Sequence, residues 1–360
     1  MKVYRLILCL IAASAAAVPA QTAPDRLLLK DFRPRSIYNV PVHRIERAKF
    51  PVIDVHSHPY AQTPAEISAW VKTMDRAGIE KTIILSMVSG ARFDSVYAAY
   101  AAWPGRFEVW CALDFHGYDQ PGYGPAAVAE LERCYKLGAR GVGELGDKGE
   151  GLVYGNEPAP GMHLDDPRMD PLLEKCAELG MPVNIHVGDP IWMYQPMDST
   201  NDGLMNGYTW RLDNKKNLVD LAGMVASLER AVARHPRTTF IACHFANCDY
   251  DLAQIGRLLD RYPNLWADIS ARYAETAPIP RAVRAFYEKY SSRLLYGTDM
   301  GMDPGMYAVT FRILESTDEH FYEIELFNYH WPLYGLGLSD KILKRVYHNN
   351  ALKALYPGGR

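Results

Sequence analysis

In the run PVIDVHSHPY (51–60) an apolar stretch ends in His56-x-His58. Successive side chains of a strand alternate faces, so the two imidazoles project to one side and can share one metal ion. Four more donors each close a short apolar run: Glu144 in GVGEL, His186 in PVNIHV, His244 in TTFIACH and Asp299 in RLLYGTD. All six offer nitrogen or oxygen to a borderline divalent ion such as zinc. The chain has 11 histidines in 360 residues, and chance rarely places four of them at the ends of apolar runs. Each donor has a structural alternative: His186 or His244 as a hydrogen-bonded core histidine, Glu144 as a loop carboxylate or substrate contact, Asp299 as a cap for the next segment.

The elements that must position these groups alternate regularly. Strands are predicted at PVIDV (51–55), KTIILSM (81–87), FEVWCAL (107–113), GVGEL (141–145), PVNIHV (182–187), TTFIACH (238–244), NLWADIS (264–270) and RLLYGTD (293–299). Thr63, Pro64 and Glu66 read as a helix start and Gly78 as its stop, with Ile67, Trp70, Val71 and Met74 at helical spacing. Further helices are predicted near 125–137, 169–179, 218–233, 252–259 and 281–290. Eight strands separated by helices predict an α/β fold, a (β/α)₈ TIM barrel with long βα-loop insertions and extra C-terminal helices. Active sites of that fold lie at the C-terminal ends of the strands, which is where the six donors stand.

The set Asp54-x-His56-x-His58, His186, His244, Gly-Thr-Asp299 and a C-terminal Asn350-Ala351-Leu352-Lys353 helix resembles the amidohydrolase superfamily, in its amidohydrolase-related branch of metal-dependent hydrolases and decarboxylases. The likeness runs from about residue 50 to 355. It implies a divalent metal held by His56, His58, His186 and Asp299, with His244 polarising substrate or binding a second ion. Many binuclear relatives carry a carboxylated lysine on strand 4. Gly-Glu144-Leu-Gly is instead similar to the TatD-like deoxyribonucleases, where a glutamate bridges two metals, and Lys148 falls past the strand end. Glu144 is read as a bridging ligand, and the single-metal form of the decarboxylase-like relatives stays open.

A divalent ion lowers the pKa of bound water to about 7. Asp299 would then orient that water, take its proton during attack on a carbonyl carbon and pass it to the leaving group. His244 or a second metal would stabilise the oxyanion. Asp54 either hydrogen-bonds an outer histidine nitrogen or is a buried structural carboxylate.

Composition bounds the rest. Net charge is −3, apolar residues make up 48%, and no long basic run occurs, so a nucleic-acid partner is not expected. Lys2 and Arg5, an apolar stretch to Val18 and Val-Pro-Ala20 read as a signal peptide over 1–20, with an uncleaved anchor as the alternative, predicting a periplasmic or extracellular protein without stable membrane association after cleavage. Residues 21–50 are a polar lead-in, and 51–355 form the barrel domain. The five remaining cysteines suggest no disulfide framework, although Cys134 and Cys176 could pair. The insertion from Gly188 to Asn217 carries Trp192, Met193, Tyr194 and Trp210, and reads as a lid or as a packed rim loop. Trp192, Tyr194, Arg211 and Arg272 are the candidate substrate-binding residues, with Tyr273, His116 and His163 also on the active face. The resulting expectation is an exported metal-dependent hydrolase with Asp299 and His244 as catalytic residues, one or two ions with zinc favoured, and a small substrate with an amide, ester or lactone carbonyl. A homo-oligomer is compatible with the sequence. The alternative is a metal-dependent decarboxylase of an aromatic or unsaturated acid. A barrel that only binds a ligand is a third reading, against which the intact histidine set and Asp299 argue.

Overall fold

The computed structural model describes residues 22–356, so the signal-peptide reading lies outside the described residues. Among the described residues ten strands occur: β1 Val52–Ser57, β2 Ile79–Leu85, β3 Phe107–Trp110, β4 Val142–Asp147, β5 Gly151–Leu152, β6 Ala159–Pro160, β7 Val183–Val187, β8 Phe240–Ala242, β9 Leu265–Asp268 and β10 Leu294–Leu295. Two parallel ladders, β1-β2-β3 and β4-β7-β8-β9-β10, account for the eight predicted strands. At one seam Cys111 N–H donates to Gly141 O at 3.1 Å and Gly143 N–H to Cys111 O at 2.9 Å. At the other, Val55 N–H reaches Tyr296 O at 2.9 Å and Asp299 N–H reaches His56 O at 2.8 Å. Backbone bonds on both sides make the two ladders one barrel.

Every barrel strand is followed by a helix of ten residues or more: Pro64–Ala77, Gly90–Ala101, Pro125–Leu137, Asp170–Leu179, Leu221–Arg234, Leu252–Arg261, Pro280–Tyr290 and Pro304–Glu315. The second and the last of these are not among the helices predicted from the sequence. The first has a full capping box: Glu66 N–H donates to Thr63 Oγ1 at 3.3 Å, and Thr63 N–H to Glu66 Oε2 at 2.9 Å. It ends at Gly78, whose φ of 82° suits only a residue without a side chain. Each helix packs one apolar stripe on the strands. Leu252–Arg261, for example, buries Ile255, Leu258 and Leu259, each worth about 1.5–3 kcal/mol.

Ala351, Ala354 and Leu355 of the C-terminal helix pack with Ile53, Val55, Ile83, Leu85, Trp110, Ile241 and Leu295. Tyr356 donates to Glu108 at 2.7 Å and accepts from Lys81 at 3.0 Å, groups near the N-terminal ends of β3 and β2. This helix therefore closes the end of the barrel opposite the histidines. Among the described residues no helix is long and apolar enough to cross a membrane. The described cysteines, Cys134 and Cys176 included, are free thiols.

Candidate metal centre

The structure brings all six donors together at the C-terminal rim. His56, His58 and Asp299 form one group whose ligand atoms lie within 4.8 Å of one another, and Glu144, His186 and His244 form a second. Glu144 joins them. Its Oε1 is 2.9 Å from His186 Nδ1, 3.5 Å from His244 Nε2 and 3.7 Å from His56 Nε2, and its Oε2 is 3.6 Å from His58 Nε2. Asp299 Oδ1 lies 3.1 Å from His58 Nε2 and 3.6 Å from His56 Nε2.

Outer contacts set which ring nitrogen faces the centre. His56 Nδ1 meets Asp268 Oδ2 at 2.9 Å, His58 Nδ1 meets Leu85 O at 2.9 Å, and His244 Nδ1 meets Ser270 O at 2.9 Å. A donor on Nδ1 leaves the Nε2 lone pair of each ring directed inward. His186 is turned the other way, with Nε2 3.3 Å from Asp189 Oδ1, and Asp189 is itself paired with Lys148 at 3.0 Å.

Burial works to raise the Glu144 pKa, but the surrounding imidazoles, His186 foremost and then His244 and His56, hold it well below the ordinary carboxylate range. Burial likewise opposes Asp299, which the neighbouring His58 and His56 imidazoles keep lowered. Burial lowers the His244 pKa, and the charges of His186 and Arg272 act in the same direction. The residues fit a divalent cation: the donors are hard or borderline, and His56 Nε2 is buried without a hydrogen-bond partner.

Two of the six donors have left-handed backbone, Asp299 at φ 65° and His244 at φ 57°. His244 opens a left-handed turn through Phe245, Ala246 and Asn247, with φ of 55°, 54° and 54°. Asn247 pins the turn by donating to Val187 O at 3.0 Å and Gly188 O at 3.2 Å and by accepting from Arg272 Nη2 at 2.6 Å. Tyr60 Oη donates to the Asp299 backbone carbonyl and fixes the other.

A cleft of about 510 Å³ opens over the donors, walled by Met87, Met193, Met300, Met306, Leu326 and Phe327. The 188–217 insertion adds Asp189, Met193, Asn206 and Trp210 to its lining. Of the four candidate substrate-binding residues, only Arg272 lines this cleft. Its fork is largely engaged inside the protein, Nε and Nη2 with Asn247 Oδ1 at 2.9 and 2.6 Å and Nη1 with Ala271 O at 3.0 Å. Trp192 instead packs on Tyr329 and Trp331, with ring centroids 6.0 and 5.6 Å away. The Tyr194 hydroxyl accepts from Asp189 N–H at 3.2 Å, supporting the rim from behind. Arg211 forms a two-pronged pair with Asp213, both contacts at 2.7 Å, because a carboxylate two residues away is nearer than any ligand.

Tyr273 donates to Gly297 O at 2.7 Å, His163 meets Asp147 at 2.7 Å and His116 meets Glu157 at 3.0 Å; none of the three lines the cleft. Asp54 takes the structural alternative: it accepts from Thr298 N–H at 3.0 Å, Thr298 Oγ1 at 2.7 Å and His56 N–H at 3.2 Å, tying β1 to the segment after β10.

Two further site residues, Asp268 and Asp189, are absent from the sequence-based set. Asp268 was detectable as a carboxylate inside the apolar run NLWADIS, where burial demands a partner. Asp189, in a loop, gives no comparable signal.

A family model described as Amidohydrolase matches residues 43–356. No curated protein matches the sequence. Among solved structures, an uncharacterized TIM-barrel protein from Bordetella bronchiseptica is similar at 18% identity and TM-score 0.54, over 86% of this chain and 100% of that one. A 2,6-dihydroxybenzoate decarboxylase from Rhizobium is similar at 18% identity and TM-score 0.52, over 85% and 98%. A dihydroxybenzoic acid decarboxylase from Polaromonas sp. with bound manganese is similar at 16% identity and TM-score 0.54, over 85% and 97%.

Proposed function

The chain belongs to the amidohydrolase family, whose model spans most of its length, and from that premise we propose that this metal-dependent enzyme is a hydrolase of a small organic substrate with an ester, lactone or amide carbonyl. The supporting observation is the position of Glu144. Its Oε1 faces His186, His244 and His56 and its Oε2 faces His58, so this one carboxylate reaches all four histidines, as a ligand shared between two cations would have to. His56, His58 and Asp299 would hold one ion, His186 and His244 the other, with zinc favoured by the donor set.

When bound, the cations supply charge that acidifies water and polarises a carbonyl oxygen. The remaining work falls to the protein. Asp299, kept ionised, accepts the proton of the attacking water on a carboxylate oxygen and returns it to the leaving group. Tyr60 holds that carboxylate in place through the Asp299 backbone. His244, its Nδ1 turned to Ser270 O, presents Nε2 to the centre. The methionine, leucine and phenylalanine walls take the apolar body of the substrate and exclude bulk water.

Decarboxylation of an aromatic acid is the second reading, favoured by the activities named for two of the similar structures. Elemental analysis with a panel of lactones, esters, amides and aromatic acids tests both. Hydrolysis predicts two ions per chain and a loss of at least about 10²-fold in kcat for Glu144→Gln. One ion, an indifferent Glu144→Gln and carbon dioxide release from the acids would replace the hydrolytic reading by the lyase one.

A further inference from the structure

The insertion after β4 folds back as the β5–β6 hairpin. Asp147 pairs with Leu152, and Val153 N–H donates to Gly146 O at 2.8 Å, so the start of the hairpin tip is fixed to the strand that carries Glu144. The next residue is Tyr154. Its ring lies directly over Gly146, where a Cβ would meet Cδ2, Cε2 and Cγ of the ring at 2.1, 2.4 and 2.5 Å. Only glycine at 146 allows the ring to sit so close to the strand end. The ring stands edge-on to His186, centroids 6.1 Å apart at 80°, and lines the same cleft as His58, Glu144, His186, His244 and Asp299. Two tyrosines line this cleft. Tyr329 donates to Glu275 at 2.9 Å, whereas the Tyr154 phenol has no hydrogen-bond partner among the described residues.

We propose that Tyr154 is a catalytic residue whose phenol donates a hydrogen bond to the oxyanion formed when the substrate carbonyl is attacked. A donor placed in advance where charge develops is worth more than one that must reorient during reaction. The phenol keeps its proton throughout, so no other group has to supply one. An ordinary phenol, with a pKa of about 10, keeps its proton at neutral pH and so remains a donor. The proposal rests on the hydrolytic reading for the identity of the oxyanion, and its test separates the two.

Tyr154→Phe retains the ring on Gly146 and removes only the hydroxyl. Zinc-loaded full-length wild type and variant are titrated calorimetrically with methylphosphonate, a tetrahedral anion, and with acetate as a planar control. At equal zinc content the variant is expected to bind methylphosphonate about 10- to 100-fold more weakly, with acetate binding unchanged. On any ester or lactone that the wild type hydrolyses, kcat falls about 10²–10³-fold with little change in KM. Equal methylphosphonate affinity in the two proteins overturns the proposal, as does a wild type that does not bind methylphosphonate. If the affinity difference is found but no carbonyl substrate is hydrolysed, the donor role stands and the hydrolytic reading fails. Hydrolysis with a kcat insensitive to Tyr154→Phe overturns the donor role and leaves the hydrolytic reading standing.

Discussion

Replacing Asp268 by Asn changes one oxygen to an amide nitrogen at the most heavily used acceptor of the site. Asp268 Oδ1 accepts from His244 N–H at 3.0 Å, Ser270 N–H at 3.1 Å and Ser270 Oγ at 2.5 Å, while Oδ2 accepts from His56 Nδ1 at 2.9 Å and Asn184 Nδ2 at 3.3 Å. An asparagine must turn its NH₂ toward one of these sets. The less costly choice faces the pair, so the amide donates to His56 Nδ1 and moves the imidazole proton to Nε2. That is the nitrogen left free for a cation, so ligation is opposed directly. Loss of such an outer partner typically costs 10- to 100-fold in metal affinity, about 1.4–2.7 kcal/mol. Competition with a chromophoric chelator measures the zinc affinity, and thermal unfolding of the metal-free proteins shows whether the variant folds. A folded Asp268→Asn protein that binds zinc as tightly as wild type would refute the tautomer argument, and with it the assignment of His56 Nε2 as a ligand atom.

Arg211→Ala removes a side chain already paired with Asp213, and steady-state kinetics should give an unchanged kcat/KM; a tenfold rise in KM would return Arg211 to the substrate site. Away from the centre, Arg133 hydrogen bonds pull Glu130 from 4.5 to about 2, against burial. Because the folded pKa is depressed, this stabilisation is complete above the unfolded value and is lost as pH falls toward 2. Glu130→Gln should therefore lower the urea midpoint at pH 7 and converge on wild type near pH 2, and parallel midpoints across that range would show that the pair does not supply the effect.

The strands and the rim donors were legible because both follow from short-range rules. An apolar run bounded by turns is a buried strand wherever it falls, and in a barrel its last residue must face the rim, so His56, His186 and Asp299 could be placed without knowing any contact. Loop side chains obey no such rule. Nothing in the letters around Trp192 says that it packs on Tyr329 and Trp331 while Met193 beside it faces the cleft. Arg211 is a related case: Asp213 lies two positions on, and local pairing competes with any ligand role. Tyr154 escaped notice because its significance lies in a close approach to Gly146, eight residues back, which becomes visible only when the hairpin folds over the strand.

From His244 to Asn247 the main chain winds as a mirror image of an ordinary helical turn. Among L-residues other than glycine that handedness costs roughly 1–2 kcal/mol each, so the segment is held by its surroundings, chiefly the Asn247 amide between β7 and Arg272. A turn that relaxed to the common hand would carry the His244 imidazole away from Glu144. Selection for a hardier fold and selection for an intact cation cradle therefore pull on these four residues in opposite directions, and heat-tolerant descendants that keep the chemistry must draw their added stability from elsewhere in the barrel.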